Sequence, residues 1–308
     1  MFVDDKEAIV QLKAAHVVAL PTETVYGLAA DATQDQAVAE IFALKQRPQF
    51  NPLISHYVDV RAVKQDVEFS PLAQKLADAF WPGPLTMVLP QKKRSRLATL
   101  TCAGLPTAAV RVPQHPQMQQ ILQSLDFPLA APSANVSGRL TTTTAQHVAQ
   151  QFADELPILD GGPCILGLES TIIDLTHDTP TILRAGGLST EDIIACIGQV
   201  AYATADAPVK APGMLLRHYA PQAKLVLDYP AEWPPQAVLL HYGAKPANLP
   251  DSVTCLCLGY TDKEAAACLF TKLHEADALN PPLIVAPLLP PEGLGKAIND
   301  RLERAARG

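Results

Sequence analysis

No stretch of this chain approaches the roughly 20 consecutive apolar residues that a membrane span needs, although 48% of its 308 residues are apolar. The start, Met-Phe-Val-Asp-Asp-Lys-Glu, lacks the basic and apolar regions of a secretory signal. Cysteine is scattered, six residues at 102, 164, 196, 255, 257 and 268 with no C-x-x-C pair. That usage predicts reduced thiols in a cytoplasmic protein and speaks against a structural zinc site. Positive charge is not in excess either. The net charge is −7, with 14 basic against 18 acidic residues up to position 188 and 10 against 13 after it. A chain so balanced does not coat nucleic acid, and a site for an anion must be a local cluster. Lys92-Lys93-Arg94-Ser95-Arg96 is one such run in form, but a charge run this short reads first as a solvated loop. A G-x-x-x-x-G-K-[ST] phosphate loop, a G-x-G-x-x-G turn, an H-E-x-x-H helix and a G-x-S-x-G elbow are all absent, and "GGPCILG" (161–167) replaces none of them.

The length suits about two domains, and 28 prolines interrupt the helices often. Up to residue 190, strand-like and helix-like segments alternate. Strands are predicted at 16–20, 51–58, 84–90, 107–113 and 128–134, with a hairpin from 170–175 and 181–186. Helices are predicted at 35–46, 71–80, 115–125 and 145–156, the last capped by a preceding threonine. This pattern predicts an α/β domain over 1–190 with strands in mixed directions. A linker at 191–223, rich in Ala, Pro and Gly, carries the trio Arg217-His218-Tyr219. A smaller three-layer α/β domain is predicted over 224–308, with helices at 262–279 and 293–307.

Polar chemistry gathers where the strand-like runs stop: "PTET" (21–24), Ser55-His56, "PSANVSG" (132–138) and "LEST" (168–171). In open α/β sheets such loops line ligand pockets. Lys45, Arg47, Arg111 and Arg184 flank the same apolar segments, and hydroxyls beside guanidinium groups suit a carboxylate, a phosphate or both. Each cluster alone has a plainer account. The threonines could form turns and His56 could belong to the core. Lys45 and Arg47 could satisfy helix-end carbonyls, and Glu169 could be a paired structural carboxylate.

In order along the chain, "LPTETVYGLAADA", "KQRP" with "NPLISH", "FWPGPLT", "AVRVP", "APSANVSG", "LEST", "LRAGG", "PGMLLRHYAP" and the tail "GLGKAINDRLERAA" are similar to the signature segments of one family. The chain resembles, over nearly its whole length, the YrdC-like L-threonylcarbamoyladenylate synthases in their long two-domain form. The resemblance implies a twisted open mixed sheet with helices and a central pocket, followed by the smaller C-terminal domain. It implies an enzyme that joins L-threonine, bicarbonate and ATP, with Mg²⁺, to give threonylcarbamoyl-AMP, pyrophosphate and water. Downstream proteins would carry the threonylcarbamoyl group to a tRNA adenosine beside the anticodon, with at most weak tRNA contact by this chain and none with a membrane. Carried over by motif, the catalytic residues would be Lys45, Arg47, Ser133 and Asn135. ATP contacts would be Arg47, Asn51, Thr107, Ser133, Thr141, Arg184 and Tyr219. Threonine contacts would be Thr24, His56, Arg111, Ala131 and Ser170. Arg217-His218-Tyr219 would form a lid, although Leu215-Leu216 stands where family members often have a basic or aromatic pair. Glu23 receives no role. Three other readings remain: carbamoyl-adenylate chemistry as in hydrogenase maturation proteins, a paralogue without catalysis, and an RNA-binding module.

Overall fold

The computed structural model describes residues 1–48, 50–152, 156–204 and 219–307. The chain opens with β1 (Phe2–Val3) and α1 (Asp5–Lys13), whose N-terminus is capped by the Asp4 carboxylate accepting the Glu7 amide. Then come β2 (Val18–Leu20), β3 (Gly27–Asp31), α2 (Asp35–Lys45), β4 (Ile54–His56), α3 (Val60–Asp66) and α4 (Pro71–Phe80). Helix α4 begins as its sequence demands, with Pro71 in the first turn and Ser70 accepting the Ala73 amide. After it follow β5 (Leu85–Pro90), β6 (Thr107–Arg111), α5 (Pro116–Gln123), β7 (Leu129–Ala130) and α6 (Ala145–Phe152). The Thr144 hydroxyl caps α6 by accepting the His147 amide. The first body closes with β8 (Ile158–Leu159), β9 (Thr171–Asp174), β10 (Thr181–Arg184), α7 (Thr190–Ile197) and β11 (Ala201–Tyr202).

These strands form one mixed sheet in the order β1-β8-β2-β3-β7-β4-β6-β5-β9-β10-β11. Strands β9 and β10 pair antiparallel, as the predicted hairpin requires. Residues 191–202, the first part of the expected linker, lie within this body: Ile193 of α7 joins its core, and β11 pairs with β10. Arg217 and His218 of the expected lid are outside the described residues.

The packing explains where a cleft can lie. In the β2–β3–β7 half both faces are covered: Ala19, Leu28 and Ala30 pack with α2 and α6, and Val18, Leu20 and Ala29 pack with α1 and α5. In the other half, Leu85, Met87, Val110 and Ile173 pack on one side with α4 and α7. Their alternating neighbours Ile54, Val88, Ala109 and Ile172 cluster only with strand residues. Among the described residues no helix residue belongs to that small cluster, and Ile54 from it lines a cleft.

The C-terminal domain is a parallel sheet of β12 (Leu225–Val226), β13 (Val238–Tyr242), β14 (Thr254–Gly259) and β15 (Ile284–Val285), in the order β12-β15-β13-β14. Helices α8 (Asp262–Ala278) and α9 (Gly295–Ala305) pack on Val238, Leu240 and Leu258. The opposite layer is made by loops, with Trp233 and Leu249 packed near Leu239 and Val285. All six cysteines are unpaired, Cys255 and Cys257 among them in β14. Among the described residues no helix is long and apolar enough to cross a membrane.

The two bodies share a core. Leu140, Leu168 and Tyr219 are buried with Leu269, Phe270 and Leu302 of the C-terminal domain. Gly167 sits at φ 67°, and a Cβ there would lie 2.4 Å from the Ala266 carbonyl oxygen, so this loop rests directly on the α8 backbone. His274 of α8 donates from Nε2 to the Thr141 carbonyl at 3.0 Å and stacks on His147 with ring centres 3.9 Å apart. Thr143 and Thr271 meet at 3.2 Å. The second domain is therefore docked on segments 140–143 and 167–169 of the first.

Candidate active site

The polar clusters converge, but from opposite ends of neighbouring central strands. Register places Gly27 opposite Ser133 just past the C-terminal end of β7, while His56, paired with Arg111, lies opposite Leu129 at the other end of β7, with Arg184 opposite Ile172 two strands further on. The strands here are only two to six residues long, about 7–20 Å at the rise of a strand. Loops from both ends thus meet over one cleft. It is lined by Thr22, Thr24, Arg47, Ile54, His56 and Arg111 together with Ala131, Ser133, Glu169, Ser170, Arg184 and Tyr219.

Local sequence positions each group. Gln46 takes a left-handed conformation at φ 52° after α2, and the turn carries Arg47 away from the helix axis into the cleft. Arg47 donates to the Asn51 and Pro52 carbonyls over 3.4 and 3.3 Å. Lys45, one residue inside the helix, is 1% exposed and does not line the cleft. Its ammonium donates to the carbonyl oxygens of Ser133 and Asn135, both at 2.6 Å, and so fixes the "PSANVSG" turn from behind. Within that turn the Ser133 hydroxyl donates to Asn135 Oδ1 at 2.5 Å, and the Asn135 amide donates to the Val136 and Arg139 carbonyls. Gly186 of "LRAGG" has a comparable reason to lack a side chain, since its Cβ would lie 2.3 Å from the Glu169 carbonyl oxygen. That close crossing sets Arg184 against "LEST", where its guanidinium donates to the Ser170 carbonyl at 2.8 Å.

Arg111 is buried at the end of β6. It donates to the Gly83 carbonyl, to the Thr24 hydroxyl at 2.9 Å and to Glu23 Oε1 at 2.7 Å. Thr24 in turn bonds Thr22, which donates to the Val25 carbonyl. Glu23, without a role at the sequence level, is thereby the orienting partner of Arg111, and its Oε2 is buried without a hydrogen bond. The Ser170 hydroxyl is 2.7 Å from that of Thr86.

Burial sets the charge states. It pulls Arg47 down to about 10, with Arg184 adding repulsion, and it lowers Arg184 and Lys45 as well. Burial first and Arg111 second hold His56 at about 3, so its imidazole is neutral at physiological pH; its buried Nδ1 has no partner. Burial raises Tyr219 to about 12, keeping it a neutral phenol. The cleft thus presents fixed cations, neutral hydroxyls, a neutral imidazole and one carboxylate, Glu169, a lining suited to anions and an amino group together.

The structure brings together nine of the carried-over residues as cleft lining: Thr24, Arg47, His56, Arg111, Ala131, Ser133, Ser170, Arg184 and Tyr219. Lys45 and Asn135 stand behind them. Asn51 is buried with Oδ1 unpartnered, and Thr141 is buried with its hydroxyl on Glu169 at 3.2 Å. Thr107 begins β6 on the same face as Arg111, four residues away and outside the lining. Tyr219, expected on a mobile lid, is 1% exposed and packs on Phe270. Glu169 has the paired role foreseen as its plainer account, and its partner is Arg301 of α9, 3.0 Å away. No local signal links two residues so distant in sequence.

His147 is likewise lowered to about 3, by burial and then by His274. A folded-state value below the unfolded value of about 6.5 means that the unfolded chain takes up the proton first. The stability contributed by His56 and His147 is complete above about pH 6.5 and is lost as pH falls toward about 3. The part of the unfolding free energy that these histidines contribute should therefore be flat above neutrality and should drop below about pH 6.5 by up to ~1.4 kcal/mol per pH unit per histidine. His147→Asn should make denaturant-measured stability shallower between about pH 6 and 4 by one proton; an unchanged slope would count against this account.

Two family profiles match the chain, that described as "Telomere recombination" (Sua5, YciO, YrdC) over residues 10–186 and "Threonylcarbamoyl-AMP synthase, C-terminal domain" over residues 188–307. The threonylcarbamoyl-AMP synthase of Pyrococcus abyssi is 38% identical, over 96% of this chain and 92% of its own length. That of Bacillus subtilis is 36% identical over 98% and 92%. The crystal structure of P. abyssi Sua5 complexed with L-threonine superposes with a TM-score of 0.89 at 33% identity, covering 100% of this chain and 98% of the other.

Proposed function

The chain belongs to the threonylcarbamoyl-AMP synthase family in its two-domain form, and we propose that its cleft seats L-threonine against Arg111 and the ATP phosphates against Arg47 and Arg184. It is an enzyme that joins L-threonine, bicarbonate and ATP into threonylcarbamoyl-AMP, releasing pyrophosphate and water, for threonylcarbamoyl modification of tRNA. The observation that carries the site reading is the meeting of three guanidinium groups and a neutral imidazole with hydroxyls in one cleft.

The reaction brings anions together. Threonine's amine attacks the carbon derived from bicarbonate, water departs, and the resulting carbamate oxygen attacks the α-phosphorus of ATP as pyrophosphate leaves. Like charges repel along this path, and preorganised cations lower the barrier. Arg111 holds the threonine carboxylate, oriented by Glu23, and Thr24, Ser170 and the Ala131 backbone fix the substrate. His56, being neutral, hydrogen-bonds the amino acid without adding a charge beside Arg111. Arg47 and Arg184 neutralise the triphosphate and the departing pyrophosphate; Ser133 and Tyr219, which line the same cleft, complete the ATP contacts, while Asn51, Thr107 and Thr141 lie outside the lining. Lys45 and Asn135 act through the turn they hold. No covalent nucleophile is required, and positioning supplies up to ~7–11 kcal/mol.

Among the described residues no group of three or more His, Cys, Asp or Glu side chains is arranged to hold a metal ion. Mg²⁺ fits this cleft only as an ion carried on the nucleotide's own phosphates, where it supplies charge neutralisation.

Residues up to Tyr202, with α7 and β11 included, serve as the catalytic domain, and the segment from Leu225 serves as the docked C-terminal domain. The setting is cytoplasmic, with transfer proteins accepting the labile adenylate. Pyrophosphate release by the purified protein tests the function. It should require L-threonine and bicarbonate together; release indifferent to threonine would assign a different adenylate-forming reaction.

A further inference from the structure

We infer that Arg301, on the last helix of the C-terminal domain, is a positioning residue for the ATP side of the cleft. By holding the Glu169 carboxylate it keeps that charge from competing with the triphosphate for Arg47 and Arg184. The inference rests on the ATP site proposed above.

Glu169 lines the cleft beside Arg47, Arg184 and Tyr219. A carboxylate there opposes phosphate binding unless a cation on its far side satisfies it. Arg301 is placed to do this. It is 0% exposed and is not part of the cleft lining. Its Nε and Nη2 both donate to Glu169 Oε2, at 3.1 and 3.0 Å, while the Thr141 hydroxyl donates to Oε1 at 3.2 Å. The remaining Nη1 donates to the carbonyl of Ala185, the residue after Arg184, at 2.7 Å and to Asp300 at 2.9 Å. The guanidinium carbon lies 5.6 Å from the ring centre of Tyr219. One side chain of the second domain therefore touches Glu169, the backbone beside Arg184 and Tyr219, all on the ATP side, and nothing on the Arg111 side. Among the described residues Arg47 makes two side-chain bonds, both long and both to carbonyls, so a carboxylate released from Arg301 would compete for it. The second domain thereby sets the electrostatics of the first domain's nucleotide site, and the threonine site is spared.

A bare structural staple would give a different pattern, so the test is a split between ligands. ATP and L-threonine are titrated calorimetrically into the full chain as wild type, Arg301→Met and the double variant Arg301→Met/Glu169→Gln, with thermal unfolding in parallel. Arg301→Met should weaken ATP binding by about tenfold or more, the worth of a charge-assisted hydrogen bond. Its threonine affinity should change by no more than about twofold, the scatter expected of uncoupled sites. Removing the stranded charge in the double variant should bring ATP affinity back to within about threefold of wild type. Equal losses for both ligands, unchanged ATP affinity, or a folded double variant without recovery would overturn the proposal. If Arg301→Met does not fold, the double variant carries the test alone, with near-wild-type ATP affinity expected and weakened affinity contradicting it. Because binding is read rather than turnover, a wild type that binds ATP but releases no pyrophosphate would sink the functional reading and still decide the role of Arg301. A wild type that binds no ATP overturns both.

Discussion

Replacing Arg111 by methionine is expected to lower kcat/KM for L-threonine by about 10²–10⁴-fold, the loss of two charge-assisted hydrogen bonds to a carboxylate. The guanidinium is locked from one side by Gly83, Thr24 and Glu23, so its remaining donors face the cleft in a fixed plane. The same substitution strands Glu23, which is 4% exposed and already has one oxygen without a partner. Breaking such a buried pair from one side costs roughly 3–5 kcal/mol of stability. The two effects separate in the double variant Arg111→Met/Glu23→Gln, which should regain most of the stability and none of the threonine-dependent activity. Arg111→Lys should fall between, because an ammonium keeps the charge but not the planar fork. Unchanged KM for threonine in a folded Arg111→Met protein would remove Arg111 from the threonine site.

The second large effect is expected at Lys45, by a different route. Its ammonium is held by two main-chain oxygens of the Ser133–Asn135 turn. Methionine would leave both oxygens buried without a donor, at about 1–3 kcal/mol each. The turn would also lose its anchor, and a displacement of about 1 Å in a group aligned with the reacting atoms can cost 10²-fold in rate. Lys45→Met should therefore show kcat reduced by about 10²-fold or more, with threonine KM much less affected. Steady-state kinetics with either substrate varied distinguishes this from Arg111→Met, where the threonine dependence changes. A Lys45→Met enzyme with kcat within a few-fold of wild type would show that the turn holds without it.

How much of this was legible in the sequence depends on whether the signal was local. Helix α4 has its proline, its serine cap and its apolar period within ten residues, and it stands over Pro71–Phe80 as read. Strand β3 was missed because Gly27-Leu-Ala-Ala-Asp is buried on both faces and built of small residues, so it shows no alternation. Helix α1 was missed for a related reason, since it buries only Ala8 and Leu12. The polar strand ends did mark the cleft, and the structure adds that they reach it from both ends of the central strands. Lys45 was read as a group in contact with substrate; its adjacency to Ser133 and Asn135 is instead through carbonyl oxygens, which a sequence does not display. The Glu23–Arg111 and Glu169–Arg301 pairs were not legible, because each joins residues dozens of positions apart through burial alone. The same holds for the His147–His274 stack, which exists only once the second domain docks.

The most direct test of the central claim follows the carbon. The purified enzyme is incubated with ATP, L-threonine and isotopically labelled bicarbonate, and the adenylate product is weighed by mass spectrometry. The account predicts threonylcarbamoyl-AMP carrying one labelled carbon, formed by wild type and lost in Arg111→Met. An adenylate of threonine without the label, or a labelled product that survives the loss of Arg111, would contradict it.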